Sequence, residues 1–122
     1  MSSLQESLRK VLAVEGVRTA ALIDIATGLI VRSVGKVGAD LPSAAARVAD
    51  EARTARVMLG ASGQAGDLDE ITVTMDSRLQ ISKVLRGDPG EGLLLFVDLE
   101  RAKSNMGLAS LRIGQLAPAV LA

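Results

Sequence analysis

"LIDIATGLIVRSVGKVG", residues 22–38, holds three glycines and a Gly35-Lys36 pair. A phosphate-binding loop and a structural hairpin both use glycine in this way, and they lead to different folds. A phosphate loop needs G-x-x-x-x-G-K-[ST] with a helix starting at once, so that backbone N–H groups and a hydroxyl hold phosphate and metal. Here Gly28 and Gly35 enclose six residues, and Val37 follows Lys36 where a hydroxyl would be required. Those six residues read as a strand. The stretch is therefore predicted to be a β-hairpin. Gly28 supplies positive φ in the turn Ala26-Thr27-Gly28, and Asp24 accepts turn N–H groups. The chain is expected to bind no nucleotide by itself.

Outward from the hairpin, Val17 to Ile25 is β-branched and apolar on both faces, as a central strand with both sides covered would be. Upstream, Ser3-Leu4-Gln5-Glu6 is a capping box, and Leu4, Leu8, Val11 and Leu12 form a helical stripe closed by Gly16. Downstream, Gly35 to Ala39 is a loop. Asp40 is the expected N-cap of a helix with Pro42 in its first turn, running to about Leu59 and ending at Gly60. After a loop at 61–67, strands are expected at Leu68–Met75, around Leu79–Val84, and at Leu93–Leu99. "RGDPGEG", residues 86–92, is a loop by its Gly and Pro content. Asp98 is expected to cap a last helix that reaches about Ala117, with Ala102, Met106, Ala109, Ile113 and Leu116 as its apolar stripe. Helix, two strands, helix, three strands and helix make an α+β layered architecture with an antiparallel meander.

Composition narrows the function. The 122 residues are the size of one domain, 48% hydrophobic and 23% charged, with a formal net charge of zero. A nucleic-acid binder usually carries a basic surplus, so no nucleic-acid partner is expected. The chain has no Cys and no His, which removes disulfides, thiol nucleophiles and the commonest general base. Phe96 is the one aromatic residue. No apolar run reaches the roughly 20 residues of a membrane span, so no direct membrane insertion is expected. The N-terminus lacks the basic start and apolar region of a signal peptide, and the expected location is the cytoplasm.

No catalytic constellation is apparent. Ser43 and Ser62 have no His partner, and Arg86-Gly87-Asp88 reads as a turn. Asp67, Asp69 and Glu70 are too few for a hard-metal site and read as the acidic lead into a strand. The chain is expected to be no enzyme and to need no cofactor. Two features exceed a plain core. Leu41, Ala45, Val48, Ala52, Ala55 and Leu59 form a heptad-type seam, which packs either on the chain's own sheet or on another helix. Ile71 to Met75 has no Pro, Lys or Arg to block pairing, so as an edge strand it would invite a second copy. As an inner strand it would not.

Three segments carry a family resemblance: "LRKVLAVEGVRTAALIDIATGLIVRSVG" (8–35), "LDEITVTMDSRLQISKVL" (68–85) and "GLLLFVDLERAKSNMGLASLRI" (92–113). The specific combination is a Gly-Val lead, an Asp-x-x-x-Gly hairpin, and an apolar strand running into Asp-Leu-x-Arg-x-x-x-Asn. The chain resembles the Roadblock/dynein light chain family over nearly its whole length. The resemblance implies a profilin-like five-stranded antiparallel sheet of order 2-1-5-4-3, with the first and last helices on one face and the middle helix on the other. It implies a homodimer in which third strands pair and middle helices pack, using Val48, Ala52, Ala55, Leu59, Ile71, Thr72, Val73, Thr74 and Met75. It also implies a small Ras-like GTPase as partner, since bacterial relatives often act with one and some activate its hydrolysis. The exposed side of the middle helix, with Arg47, Asp50, Arg53 and Arg56, is the expected contact. The alternative is a dimeric adaptor or scaffold subunit of a signalling or polarity complex with no effect on GTP hydrolysis; eukaryotic relatives are adaptors.

Overall fold

The computed structural model describes residues 3–36, 38, 40–63 and 66–121. Val37, Ala39, Gln64 and Ala65, in the two expected loops, lie outside them. The capping box forms as read: the Ser3 hydroxyl accepts from the Glu6 N–H at 3.1 Å, and the Glu6 carboxylate accepts from the Ser3 N–H at 3.3 Å. It opens helix α1, Leu4–Leu12, which ends at Ala13 and so does not use Gly16 as its cap.

Strands β1 (Val17–Asp24), β2 (Ile30–Gly35), β3 (Glu70–Thr74), β4 (Arg78–Val84) and β5 (Leu93–Glu100) form one antiparallel sheet of order β2-β1-β5-β4-β3. The two most apolar strands, β1 and β5, lie at its middle, because only inner strands are covered on both faces. Residues 22–35 lie in the β1–β2 hairpin. The Gly28 N–H bonds the Asp24 carbonyl at 2.7 Å, and the Thr27 hydroxyl donates to the Asp24 carboxylate at 2.7 Å. The turn needs the left-handed backbone that Gly28 adopts, with φ 77°.

The sheet separates two cores. Leu8 and Val11 of α1 meet Ala20, Leu22, Ile81, Leu95 and Val97 on one face, together with Ala109 and Ile113 of helix α3, Met106–Leu116. On the other face, Leu41, Ala45, Val48, Ala49 and Ala52 of helix α2, Leu41–Ala61, cover Ala21, Ile23, Leu94 and Phe96. Alanines let α2 lie close to the sheet, so a helix with few large side chains still seals the lone aromatic.

Several boundaries differ from the sequence reading. Helix α2 runs through Gly60 to Ala61, with Ser62 as C-cap. Asp40 occupies the N-cap position, but its side chain makes no capping hydrogen bond. Asp98 does not cap the last helix: it stays in β5 and pairs with Arg78 at 2.5 Å. A 3₁₀ turn, Arg101–Lys103, follows, and the Asn105 side chain caps α3 by accepting from the Leu108 N–H at 3.0 Å. The later start leaves Ala102 and Met106 exposed, while Ala109 and Ile113 of the expected stripe are buried.

Candidate functional site

Strand β3 is an edge. Among the described residues its one neighbour is β4, in the register Glu70↔Lys83 to Thr74↔Leu79. Two hydrogen bonds fix which backbone groups face inward. The Val84 N–H bonds the Asp69 carbonyl at 2.9 Å, and the Met75 N–H bonds the Arg78 carbonyl at 2.8 Å. Bonded pairs alternate along an antiparallel ladder, so Ile71 and Val73 bond to β4 while Glu70, Thr72 and Thr74 turn their N–H and C=O groups to the open side. This edge has no bulge, proline or basic residue, and its one charged residue, Glu70, is half-buried. The opposite edge is different. Strand β2 carries a register shift opposite Leu22 and Ile23, and it exposes Arg32. Bulges and charges of this kind resist edge pairing.

Side chains on β3 divide by face. Ile71 and Val73 are half-buried on the α2 side, with Ile71 packed against the second core. Thr72 and Thr74 are exposed on the other side, and Met75 lies just beyond the strand and is also exposed. The Ser110 hydroxyl of α3 donates to both oxygens of Glu70, at 3.0 and 3.1 Å, and holds the first residue of the edge in place.

The expected helix seam is corrected by burial. Val48 is 1% and Ala52 0% exposed, so the chain's own sheet already covers them and neither can meet a second copy. Ala55 and Leu59 are half-buried and remain reachable. The seam was the inner face of α2, and alternation of four and three residues could not say whose surface it met. The exposed apolar residues of α2 are instead Val57 and Met58, 71% and 65% exposed. Sequence reading passed over Met58, although spacing from Arg47, Glu51 and Ala55 puts it on the flank toward β4.

The four expected contact residues of α2 are mostly engaged within the chain. Arg47 pairs with Glu51 one turn on and donates to Gln80 of β4. Arg53 reaches the opposite flank and donates to the Ile25 carbonyl at 2.5 Å and the Ala26 carbonyl at 3.4 Å, clasping the hairpin turn. Arg56 lies 3.5 Å from Asp67, an ion pair without hydrogen-bond geometry. Asp50 is the freest, its side chain 75% exposed and 3.5 Å from Arg53. Gln80 and the turn carbonyls are distant in sequence, so no local signal could have named them as partners.

Asp67 and Asp69 are turned to cations. Arg86 lies 3.7 Å from each, and Lys83 donates to Asp69 at 2.6 Å. Among the described residues no three acidic side chains converge as a metal site would need. The Lys83 hydrogen bond holds the Asp69 carboxyl below its ordinary value; burial opposes it, and the charges of Lys83 and Arg86 add to the lowering. A lowered folded pKa means that the stabilisation is full above the unfolded value of about 4 and disappears as pH falls through the folded value. Asp69→Asn should therefore flatten the acid side of the stability profile. In thermal melts between about pH 5 and pH 2, the difference between parent and variant should shrink as pH falls. Parallel curves would contradict this. The bridge is largely solvent-exposed, so the effect should be small.

No protein-family model matches the sequence, and no curated protein matches it. Solved structures do match the fold. A Roadblock/LC7 domain from Streptomyces avermitilis is 21% identical, with a TM-score of 0.79 over 98% of this chain and 95% of that one. MglB from Myxococcus xanthus is 16% identical, with a TM-score of 0.78 over 93% and 88%. MglB with a tetrameric arrangement is 20% identical, with a TM-score of 0.68 over 97% and 90%. The strand order and helix placement of this chain are those of the Roadblock/LC7 fold.

Proposed function

We propose that this chain, a protein of Roadblock/LC7 fold, acts in the cytoplasm as a non-catalytic homodimeric partner of a small Ras-like GTPase. The observation that carries the reading is the open edge of β3 lying on the same side of the molecule as the half-buried flank of α2. Two copies joined antiparallel at β3 would continue the sheet and bring Ala55, Met58 and Leu59 of each α2 toward the other. Such a dimer is isologous, with one patch facing itself. A tetrameric arrangement of MglB is one case of self-association in this fold. The GTPase as partner comes from the sequence resemblance to the Roadblock family. The outer surface of the paired α2 helices, with Asp50 and Val57, is available for it.

One observation favours the adaptor reading within this frame. Arg47, Arg53 and Arg56 all make contacts inside their own chain. A partner that holds the GTPase is therefore better supported than one that inserts an arginine into its active site. The test uses the small Ras-like GTPases of the same genome, starting with any encoded beside this chain. Their GTP turnover is measured with and without the dimer, and their affinity for the parent and for Val57→Asp is compared. A weakening of about tenfold or more, with the dimer intact, supports the α2 surface. Arg53→Glu would be a poor probe, because it would set a carboxylate against the hairpin carbonyls. Unchanged turnover with retained binding would select the adaptor reading, and absence of binding in both nucleotide states would remove the GTPase.

A further inference from the structure

At one end of the sheet, β1 slips by one residue against β5. Val17 pairs with Leu99 and Thr19 with Asp98, which leaves Arg18 as the extra residue of a bulge. A bulge re-aims the side chain that it carries. Here Arg18 lines a cavity of about 370 Å³ with Thr19, Lys36, Arg78, Asp98 and Asp40, and the first turn of α2 closes one wall through Leu41 and Ala44.

The charges in this cavity do not balance locally. Lys36 lies directly across from Arg18, its N–H bonded to the Arg18 carbonyl at 2.9 Å. Like charges directly opposite on neighbouring strands destabilise the pair. Among the described residues neither cation has a carboxylate within 4.0 Å, and the Arg18 Nε is buried without a hydrogen-bond partner. Asp98 cannot relieve them. One of its oxygens accepts from Arg78 at 2.5 Å and the other from Gln80 at 3.4 Å. Glu100 does not line this cavity but a neighbouring one, with Arg18, Lys36 and Lys103. It pairs with Lys103 at 3.3 Å, and although the charges of Arg18 and Lys36 add to that pairing in holding its carboxyl below the ordinary value, it lies beyond 4.0 Å of both. Asp40 also lines the cavity, is exposed and makes no capping bond, and its charge is the one that opposes an incoming anion. The positive end of the 21-residue α2 adds to the same field.

We infer that this cavity binds a small tetrahedral oxyanion of the phosphate class, with Arg18 and Lys36 as its ligands and Arg78 as a third, partly neutralised cation. Two adjacent donors, one a planar fork and one a point charge, suit an ion with several oxygens better than a single carboxylate. The inference does not depend on the GTPase reading.

The test is an NMR titration of the full ¹⁵N-labelled chain with inorganic phosphate. Sodium chloride at matched ionic strength, sulfate and acetate are run as parallel arms. The expected result is saturable movement of the Thr19, Gly38 and Leu41 amides and the Arg18 Nε–H with phosphate. Sulfate should give a similar response, and chloride should not. The double variant Arg18→Gln, Lys36→Gln should bind phosphate at least tenfold more weakly. It should also melt no lower than the parent in phosphate-free buffer, since it removes a repulsion. Non-saturable movement that chloride reproduces, tighter binding of acetate than of phosphate, or equal phosphate affinity in the double variant would each overturn the assignment.

Discussion

A Thr72→Pro chain is expected to sediment as a monomer at micromolar concentrations, where the parent is expected to be a dimer. Thr72 is the centre of β3, and the ladder register turns its N–H away from β4 toward the open edge. Proline removes that donor and sets its ring in the path of a joining strand, while the bonds of Ile71 and Val73 to β4 stay in place. Each copy of the interface loses the bond. An unmade buried hydrogen bond costs about 1–3 kcal/mol, so two-fold symmetry raises the loss to about 2–6 kcal/mol, or at least about thirtyfold in dissociation constant. Far-UV circular dichroism should show the fold retained. Val73→Pro is the contrasting variant: it deletes an inward bond, and it should destabilise the chain itself. A Thr72→Pro chain that dimerises like its parent would move the interface away from β3.

Gly35→Ala is expected to be the most damaging single methyl in the hairpin. Gly35 has φ 92°, and a Cβ there would overlap the carbonyl oxygen of Arg18 and stand 2.7 Å from the Leu12 Cδ1. The obstructing oxygen is backbone and already accepts from the Lys36 N–H at 2.9 Å, so it cannot withdraw without opening the β1–β2 ladder. Left-handed strain of about 1–3 kcal/mol adds to overpacking of about 1–3 kcal/mol. A total of roughly 3 kcal/mol would lower the melting temperature by about 10 °C or more. Gly63→Ala is the comparison: its φ is 71°, but a Cβ would meet open space, so only the backbone strain applies. Equal melting temperatures for the two variants would contradict this account of Gly35. The glycine that resembles part of a phosphate loop is therefore explained by the close approach of two strands and α1.

The hairpin was legible because its evidence is local: the spacing of Gly28 and Gly35 and the β-branched residues between them; the Asp24 carboxylate, expected to accept turn N–H groups, takes the Thr27 hydroxyl instead. The two inner strands were legible because β1 and β5 are apolar on both faces. The strand order was not. It came with the family resemblance, since nothing in Glu70–Thr74 says which neighbour it lacks. Boundaries failed where two residues competed for one role. Asp98 and Asn105 both suit an N-cap, and only the pairing of Asp98 with Arg78 decides between them. The α2 seam failed for a similar reason. Alanine buries as readily on a sheet as on another helix, so Val48 and Ala52 gave the correct helix face but the wrong neighbour. The long-range contacts of Arg47 and Arg53 were not legible because their acceptors, Gln80 of β4 and the hairpin-turn carbonyls, are distant in sequence. Met58 needed only the helical period carried one step further along the flank.

The measurement that tests the central claim most directly is sedimentation of the parent chain with small Ras-like GTPases of the same genome, each loaded in turn with GDP and with a non-hydrolysable GTP analogue. The expected result is a complex holding two copies of this chain, formed more tightly in one nucleotide state than in the other. GTPases that all sediment alone in both states, beside an intact dimer of this chain, would contradict the claim.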